Sequence, residues 1–416
     1  MVGTGAGAAA LAVTLALFAL LGLSTRTRGL DVETFTLARR SQPAGLLGLS
    51  FLASGMGAWI LFAPPQVGAQ IGLVAVVGYG LGAAAPIALL GLLGVRMRRL
   101  APDGASLPDF VRVRFATSFH RYIAAVSVAY MLLFLTAELT GVAAVVSILA
   151  GIDPRVTVLA VAGTTLLYTA YAGLPASLRT DRWQAWLILA LLTTAAGAML
   201  ASGDGQRDPS ALEPLLGFSS VGLEAALALI VAVTTANLFH HGYWQRVWAA
   251  RDDRALRRGA WLGAGLSLPV VAVVGALGVV AAGRGLELGA PPAPFFALLA
   301  GLPAPLVLAA LVLALALVCS SVDTLENGLA SLIAAERPDL PLSGARLVTL
   351  LAMVPAVLIA LQGYDVLRLF LIADLLCAAT AVPALSGLCR RAPTSWWRAA
   401  TGPTPRRGRS PAASRG

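Results

Sequence analysis

Apolar residues run along this chain in long blocks separated by short segments rich in arginine, glycine and proline. A helix needs about 20 apolar residues to cross a bilayer. Blocks of that order lie at 6–23, 44–64, 68–95, 122–150, 156–173, 183–201, 219–240, 260–283, 304–335, 344–361 and 365–389, so the pattern predicts eleven transmembrane helices. Two are too long for a straight span and are expected to tilt or to reach into the cytoplasm. The block 6–23 has no basic segment ahead of it and no convincing small-residue cleavage site before Arg26. It therefore reads as a retained helix rather than a signal peptide. Alternating ten-residue segments are missing, which argues against a β-barrel.

Composition agrees with the pattern. Of 416 residues, 58% are apolar and 12% charged, against about 45–50% and about 25% in soluble domains. With a mean hydropathy of +0.82, a soluble protein of this length lacks the interior to bury so much apolar surface. A soluble enzyme, a disordered protein and a secreted disulfide scaffold are excluded. Cys319, Cys377 and Cys389 lie in or beside apolar runs without metal-ligand spacing and read as small buried hydrophobes.

The net charge of +10 is carried by 30 arginines and no lysine. These arginines are scattered between the apolar blocks, which points to membrane topology and away from nucleic acid. Counted over alternate loops, 26 fall on one side and four (Arg155, Arg207, Arg284 and Arg368) on the other. Positive charge stays inside, so the N-terminus is expected outside and the C-terminus in the cytoplasm. Residues 1–30 then hold an extra N-terminal helix and 31–391 the core. Residues 392–416 form a basic tail expected to be disordered and to rest on anionic lipid.

Two blocks are interrupted by polar or small residues. The second carries Ser54-Gly55-Met56-Gly57-Ala58-Trp59 and then Pro64-Pro65; the seventh carries Thr234-Thr235-Ala236-Asn237 and then His240-His241. Glycine in membrane helices often serves packing, but a broken helix also frees carbonyls that can coordinate a cation. Interruptions in corresponding positions of two halves mark inverted-repeat transporters. The halves are expected at about 44–203 and 219–390, five helices each, on spacing alone.

Charge at bilayer depth costs a few kcal/mol and usually faces a cavity or a partner. Glu138 lies in the middle of the fourth span; Asp323 and Glu326 share a face of the ninth after Ser320-Ser321; Asp374 lies in the last. Glu224 sits near a helix start, where it favours the dipole. His240 and His241 are expected near the cytoplasmic end of their helix, where an imidazole satisfies carbonyls. No phosphate loop, nucleophile elbow or zinc motif is present.

Three segments resemble the sodium:solute symporter family. Phe35 to Ser41 running into Leu49–Trp59 is similar to its entry segment and broken first core helix. Arg179-Thr180-Asp181-Arg182-Trp183-Gln184 resembles its W-T-D-x-x-Q, and Ser320-Ser321-Val322-Asp323-Thr324 its S-T-A-D-S. Gly242–Val247 through Arg251 resembles the loop after the sixth core helix. The resemblance implies an all-α, LeuT-type bundle of five plus five inverted helices with one helix in front. It implies a sodium site made by the carbonyls of Ala53, Met56 and Leu317 and the hydroxyls of Ser320 and Ser321. Asp181 would match the acid associated with sodium release, with Asp323 supplying further charge.

The solute is expected against Gly55, Trp59, Glu138, Thr234 and Asn237. Gly55 replaces the aspartate of proline carriers, and Glu138 stands at a tyrosine-like position, which favours a cationic or amine-bearing solute or a proton-coupled step. The expected protein is a sodium-coupled symporter of a small organic solute in the inner membrane, a monomer or weak homo-oligomer, with lipid as its surroundings and no enzymatic site. Two alternatives stay open: proton coupling through Glu138, and a membrane sensor or subunit that binds solute without carrying it.

Overall fold

The computed structural model describes residues 2–102, 104–201, 209–289, 292–337, 339–364 and 366–386. Cys389, Arg207 and the tail 392–416 lie outside them. The chain forms α1 (Thr4–Leu23), α2 (Val32–Leu37), α3 (Ala44–Gly55), α4 (Trp59–Gln70), α5 (Leu73–Leu100), α6 (Leu107–Arg114), α7 (Thr117–Ala150), α8 (Pro154–Ala172) and α9 (Leu174–Ala201). It continues with α10 (Pro209–Leu216), α11 (Ser220–Asn237), α12 (His241–Ala249), α13 (Asp253–Gly283), α14 (Pro294–Leu299), α15 (Ala304–Ala335), α16 (Leu342–Ala360) and α17 (Val366–Ser386).

Among the described residues, nine helices are long and apolar enough to cross a membrane, ten spans with the bent pair α3–α4 counted as one. The helix at the expected fifth span, α8, is 19 residues long and less apolar. It carries Arg155, four threonines and two tyrosines.

Helix ends follow local chemistry. Asp31, Ser106, Asp153, Ser219 and Asp252 accept backbone N–H bonds at helix N-termini, replacing partners the first turn lacks. Hydrogen bonds from Thr34 hold the Asp31 carboxyl below the usual carboxylate range. This cap is therefore complete above that range and is lost as pH falls through the lowered value.

The second expected span breaks where its small-residue cluster lies and continues past its expected end. It does not run straight to residue 64: at 56–58 the chain leaves the helix and turns by 68°. Met56 is extended (φ −103°, ψ 112°), and α4 carries Pro64 and Pro65 inside it to Gln70. The next helix accordingly starts at Leu73 rather than 68. Beyond α11 the chain breaks again, and Trp244 Nε1 donates to the freed Leu238 carbonyl at 2.7 Å. Backbones also approach closely between α4 and α13: a Cβ on Gly278 would strike the Pro65 carbonyl, so only glycine fits there.

The packing repeats itself. α3 and α4 lie on α13 as α11 lies on α5; α3 touches α9 as α11 touches α17. α9 lies on α15 as α17 lies on α7, and α8 bridges α7 and α15 as α16 bridges α15 and α7. The short helices fall in step, with α6 between α5 and α7 and α14 between α13 and α15. α1 stands apart against α8, α9 and α15.

Candidate functional site

The two helix breaks meet in the interior. Glu138 of α7 reaches the first: its Oε2 accepts the Ala58 N–H at 2.6 Å, while Oε1 has no hydrogen-bond partner. The carboxyl lies where a Cβ on Gly57 would be. Ser321 of α15 approaches the same carboxyl, and its own hydroxyl is unpartnered. At the second break, His240 stacks on Tyr243 at 4.6 Å and meets Tyr130 and Phe134 edge-on. Both ring nitrogens of His240 and the Tyr130 hydroxyl lack partners although they are buried. The Tyr243 hydroxyl closes the distance between the breaks, lying where a Cβ on Gly55 would be.

One turn towards α12 lies an ionic knot. Arg246 and Asp181 are fully buried and paired at 2.6 Å. The same guanidinium donates to Ser50 Oγ at 2.7 Å, to the Gly242 carbonyl at 2.8 Å and to Thr324 Oγ1 at 2.9 Å. Asp181 accepts in addition from Ser50 at 2.5 Å and from Ser320 at 2.7 Å. One side chain of α12 thus ties together α3, α9 and α15. Beyond Thr324, Asp323 accepts from Tyr168 (2.6 Å), Ser177 (2.6 Å) and Thr180 (3.2 Å). Glu326 accepts from Thr169 at 2.7 Å, and its Oε2 has no partner. Four carboxylates (Glu138, Asp181, Asp323 and Glu326) are therefore buried in the described bundle against one guanidinium.

The residues expected to hold sodium converge only in part on this geometry. Ala53, Met56, Leu317, Ser320 and Ser321 are all buried. The Ala53 carbonyl faces the break and accepts from Met56 N–H at 3.3 Å. Ser320 is engaged by Asp181, whereas the Ser321 hydroxyl has no hydrogen-bond partner and approaches Glu138. Trp59 lies at the first break, its indole N–H on the Gly55 carbonyl (3.2 Å) and its ring stacked on Tyr79 at 5.6 Å. Thr234 and Asn237 sit on α11 just before the second break, Thr234 bonding to the Gly82 carbonyl and Asn237 to that of Val233.

Two sequence expectations change. Arg246 counts there as one of a string of cytoplasmic arginines; here it is buried in the bundle. His240 and His241 do not close a helix end. They open α12 inside the protein, and His241 reaches Ser331 at 3.3 Å. Tyr130, Phe134 and Tyr243 carried no signal beyond apolarity. A surface depression of about 660 Å³ lined by Arg40, Arg98, Arg251 and Arg254 with Asp252 and Asp253 lies away from these groups.

Solved structures share this architecture. A Na+-coupled sialic acid symporter in a substrate-bound outward-open state superposes with a TM-score of 0.76 at 16% identity, covering 92% of this chain and 86% of that one. MhsT in complex with L-phenylalanine gives 0.61 at 14% identity, covering 84% and 89%. The fold is that of the LeuT-type membrane transporters, a multi-pass helical bundle. A sequence model of the sodium:solute symporter family matches residues 35–336. The chain belongs to this family and is a secondary active symporter rather than an enzyme.

A spermidine transporter of Candida albicans is 31% identical over 359 residues, 84% of this chain and 68% of that protein. A urea active transporter of Saccharomyces cerevisiae is 24% identical over 187 residues, and a urea-proton symporter of rice 23% over 255. The chain spans 25% and 35% of those two proteins' lengths.

Proposed function

We propose that this protein carries a small, positively charged organic solute inward across the cytoplasmic membrane, coupled to sodium. The excess of buried negative charge around two helix breaks carries the reading. A buried carboxylate without a counter-charge is strongly disfavoured, so the centre is built to receive cations. Sodium would be held by the Ala53, Met56 and Leu317 carbonyls and the Ser320 and Ser321 hydroxyls, oxygen donors suited to a hard cation. The free Ser321 hydroxyl and the break at Met56 support that set.

Binding there would tie α3 to α15 and bias the bundle towards one state, which is what coupling requires. Asp181, already on Ser320, would exchange its partners as the ion leaves. The solute would sit between the breaks, against Glu138 and Trp59, with Thr234 and Asn237 on α11 at its edge. The repeated packing supports two halves of five helices beginning at α3 and α11, with α1 outside them. The loop arginines support an outer N-terminus.

The relatives named for spermidine and urea place both charged and neutral solutes in the family. A proton is the second reading for the coupling ion. Glu138 and Glu326 each hold a buried carboxylate oxygen with no partner, and one relative is a urea-proton symporter.

Thermal unfolding in sodium chloride against choline chloride at equal ionic strength separates the readings. Ligand at about 100 times its dissociation constant stabilises by roughly 2.7 kcal/mol. We expect a sodium-specific rise that Ser321→Ala abolishes. A response to pH alone would move the coupling to a proton. No response to either would favour a sensor that does not transport.

A further inference from the structure

Positive charge on the inner side of a membrane protein is expected to be spread over its loops. Here arginines from three segments converge on one place. Arg40, Arg98, Arg251 and Arg254 line the depression of about 660 Å³. A more enclosed space of about 110 Å³ shares Arg40, Arg98 and Asp253 with it and adds Arg39 and Arg99. Asp252 and Asp253 are the acidic residues of the lining. Asp253 is taken by Arg99 at 2.9 Å; Asp252 caps α13 at 2.7 Å and reaches Arg251 at 3.4 Å. The described residues supply no acidic partner to Arg40, Arg98 or Arg254.

A second observation points to a ligand. Trp248 lines the smaller space, is 1% exposed, and its indole N–H has no partner. A buried donor without an acceptor costs free energy, and the space beside it is ringed by cations. The backbone fixes this arrangement. Arg40 N–H donates to the Trp248 carbonyl at 3.0 Å, and those of Ser41 and Gln42 to Ala249 at 2.9 Å. This zip to α12 holds Arg40 at φ 55°, where side-chain-bearing residues seldom lie. Arg98 is half-buried and anchored on the Val247 carbonyl at 3.3 Å.

We propose that this cluster binds a soluble phosphate compound, seated among Arg40, Arg98 and Arg254 with the Trp248 N–H on one oxygen. A planar guanidinium matches two phosphate oxygens at once, and the groups left over here are donors. The depression has the volume of a small-molecule site. The smaller space has room for about four waters by volume, enough for one phosphate group. Every residue lining the depression is charged, so an acyl chain finds no apolar wall there, which favours a soluble anion over a lipid headgroup. Arg40 precedes α3, Arg98 ends α5, and Arg254 opens α13 just after α12. α3 and α12 are the halves of the two broken helices on the arginine-rich side. A bound anion would hold those halves together and slow their parting, whichever ion drives symport.

The test uses the purified full chain in detergent. Thermal unfolding is followed in potassium pyrophosphate against potassium chloride at equal ionic strength, with hydrogen exchange read over residues 36–44 and 246–254. Pyrophosphate should raise the unfolding temperature saturably and slow exchange in both segments. Arg40→Gln combined with Arg254→Gln should abolish both effects. These two side chains are exposed, so unfolding in chloride should stay at the wild-type temperature. Trp248→Phe, which keeps an aromatic ring and removes the donor, should weaken pyrophosphate about tenfold, the worth of one hydrogen bond to a charged group. A rise that the double variant keeps, or one without protection of the two segments, would overturn the site. Nanodiscs of phosphatidylglycerol against phosphatidylcholine form the other arm. Stabilisation by phosphatidylglycerol and not by pyrophosphate would overturn the soluble ligand and assign the cluster to a lipid headgroup. No response to either would overturn the site and leave the arginines to topology.

Discussion

Arg246→Met is expected to lower the stability of the protein by about 3–5 kcal/mol, the cost of removing one partner of a buried ion pair. The loss comes from what remains. Asp181 is fully buried, and without the guanidinium it keeps only the hydroxyls of Ser50 and Ser320. Ser50, Thr324 and the Gly242 carbonyl lose a donor at the same time. Adding Asp181→Leu should recover most of the loss, because apolar replacement of both members of a buried pair is often neutral or stabilising. Thermal unfolding of the wild type, Arg246→Met and the double variant in one detergent reads the cycle directly. If Arg246→Met unfolds like the wild type, the pair is not what holds α3, α9, α12 and α15 together. If the double variant is as unstable as the single, packing of the arginine stem outweighs its charge. The double variant should nevertheless fail in uptake if the knot must open and close during transport.

Arg246 also shows where a one-dimensional reading stops. Hydropathy located the spans because the bilayer imposes a length on each apolar block, and α7, α13 and α15 end where it puts them. It misplaced Arg246 because that residue stands in a run of arginines, and its partner lies 65 positions away on another helix. The second span is bounded as one apolar block because glycine, serine and alanine are apolar enough for a membrane, although its small-residue cluster marks an interruption. The break at Met56 shows only as two glycines near a tryptophan, a pattern that packing also produces. Pro64 and Pro65 looked like a terminus yet lie inside α4, so proline alone does not end a membrane helix whose neighbours compensate. His240 could not be placed from sequence, since its burial depends on α7 and α12 meeting. Glu138 was legible as a functional candidate because a charge in mid-span has few structural reasons to be there. That the same centre holds His240 and Tyr243, from another segment of the chain, required the second break to fold against α7 and α3.

Gly57→Ala is expected to abolish uptake while leaving the fold in place. The added methyl would occupy the position of the Glu138 carboxyl, striking both oxygens. Glu138 would have to swing away and release the Ala58 N–H that it now accepts at 2.6 Å. A hydrogen bond to a charged group is worth about 1.5–3 kcal/mol, and the amide at the break would be left buried and unsatisfied. Because Gly57 belongs to neither α3 nor α4, the damage should stay local. Sodium-dependent thermal stabilisation should survive in this variant, since Ser320 and Ser321 are untouched. The partner variant Glu138→Ala separates space from charge. Combined with Gly57→Ala it removes the clash, so the double variant should unfold close to Glu138→Ala alone and still fail to transport. A Gly57→Ala protein that transports at the wild-type rate would mean that Glu138 has room to move without consequence, and its place in the solute centre would have to be abandoned.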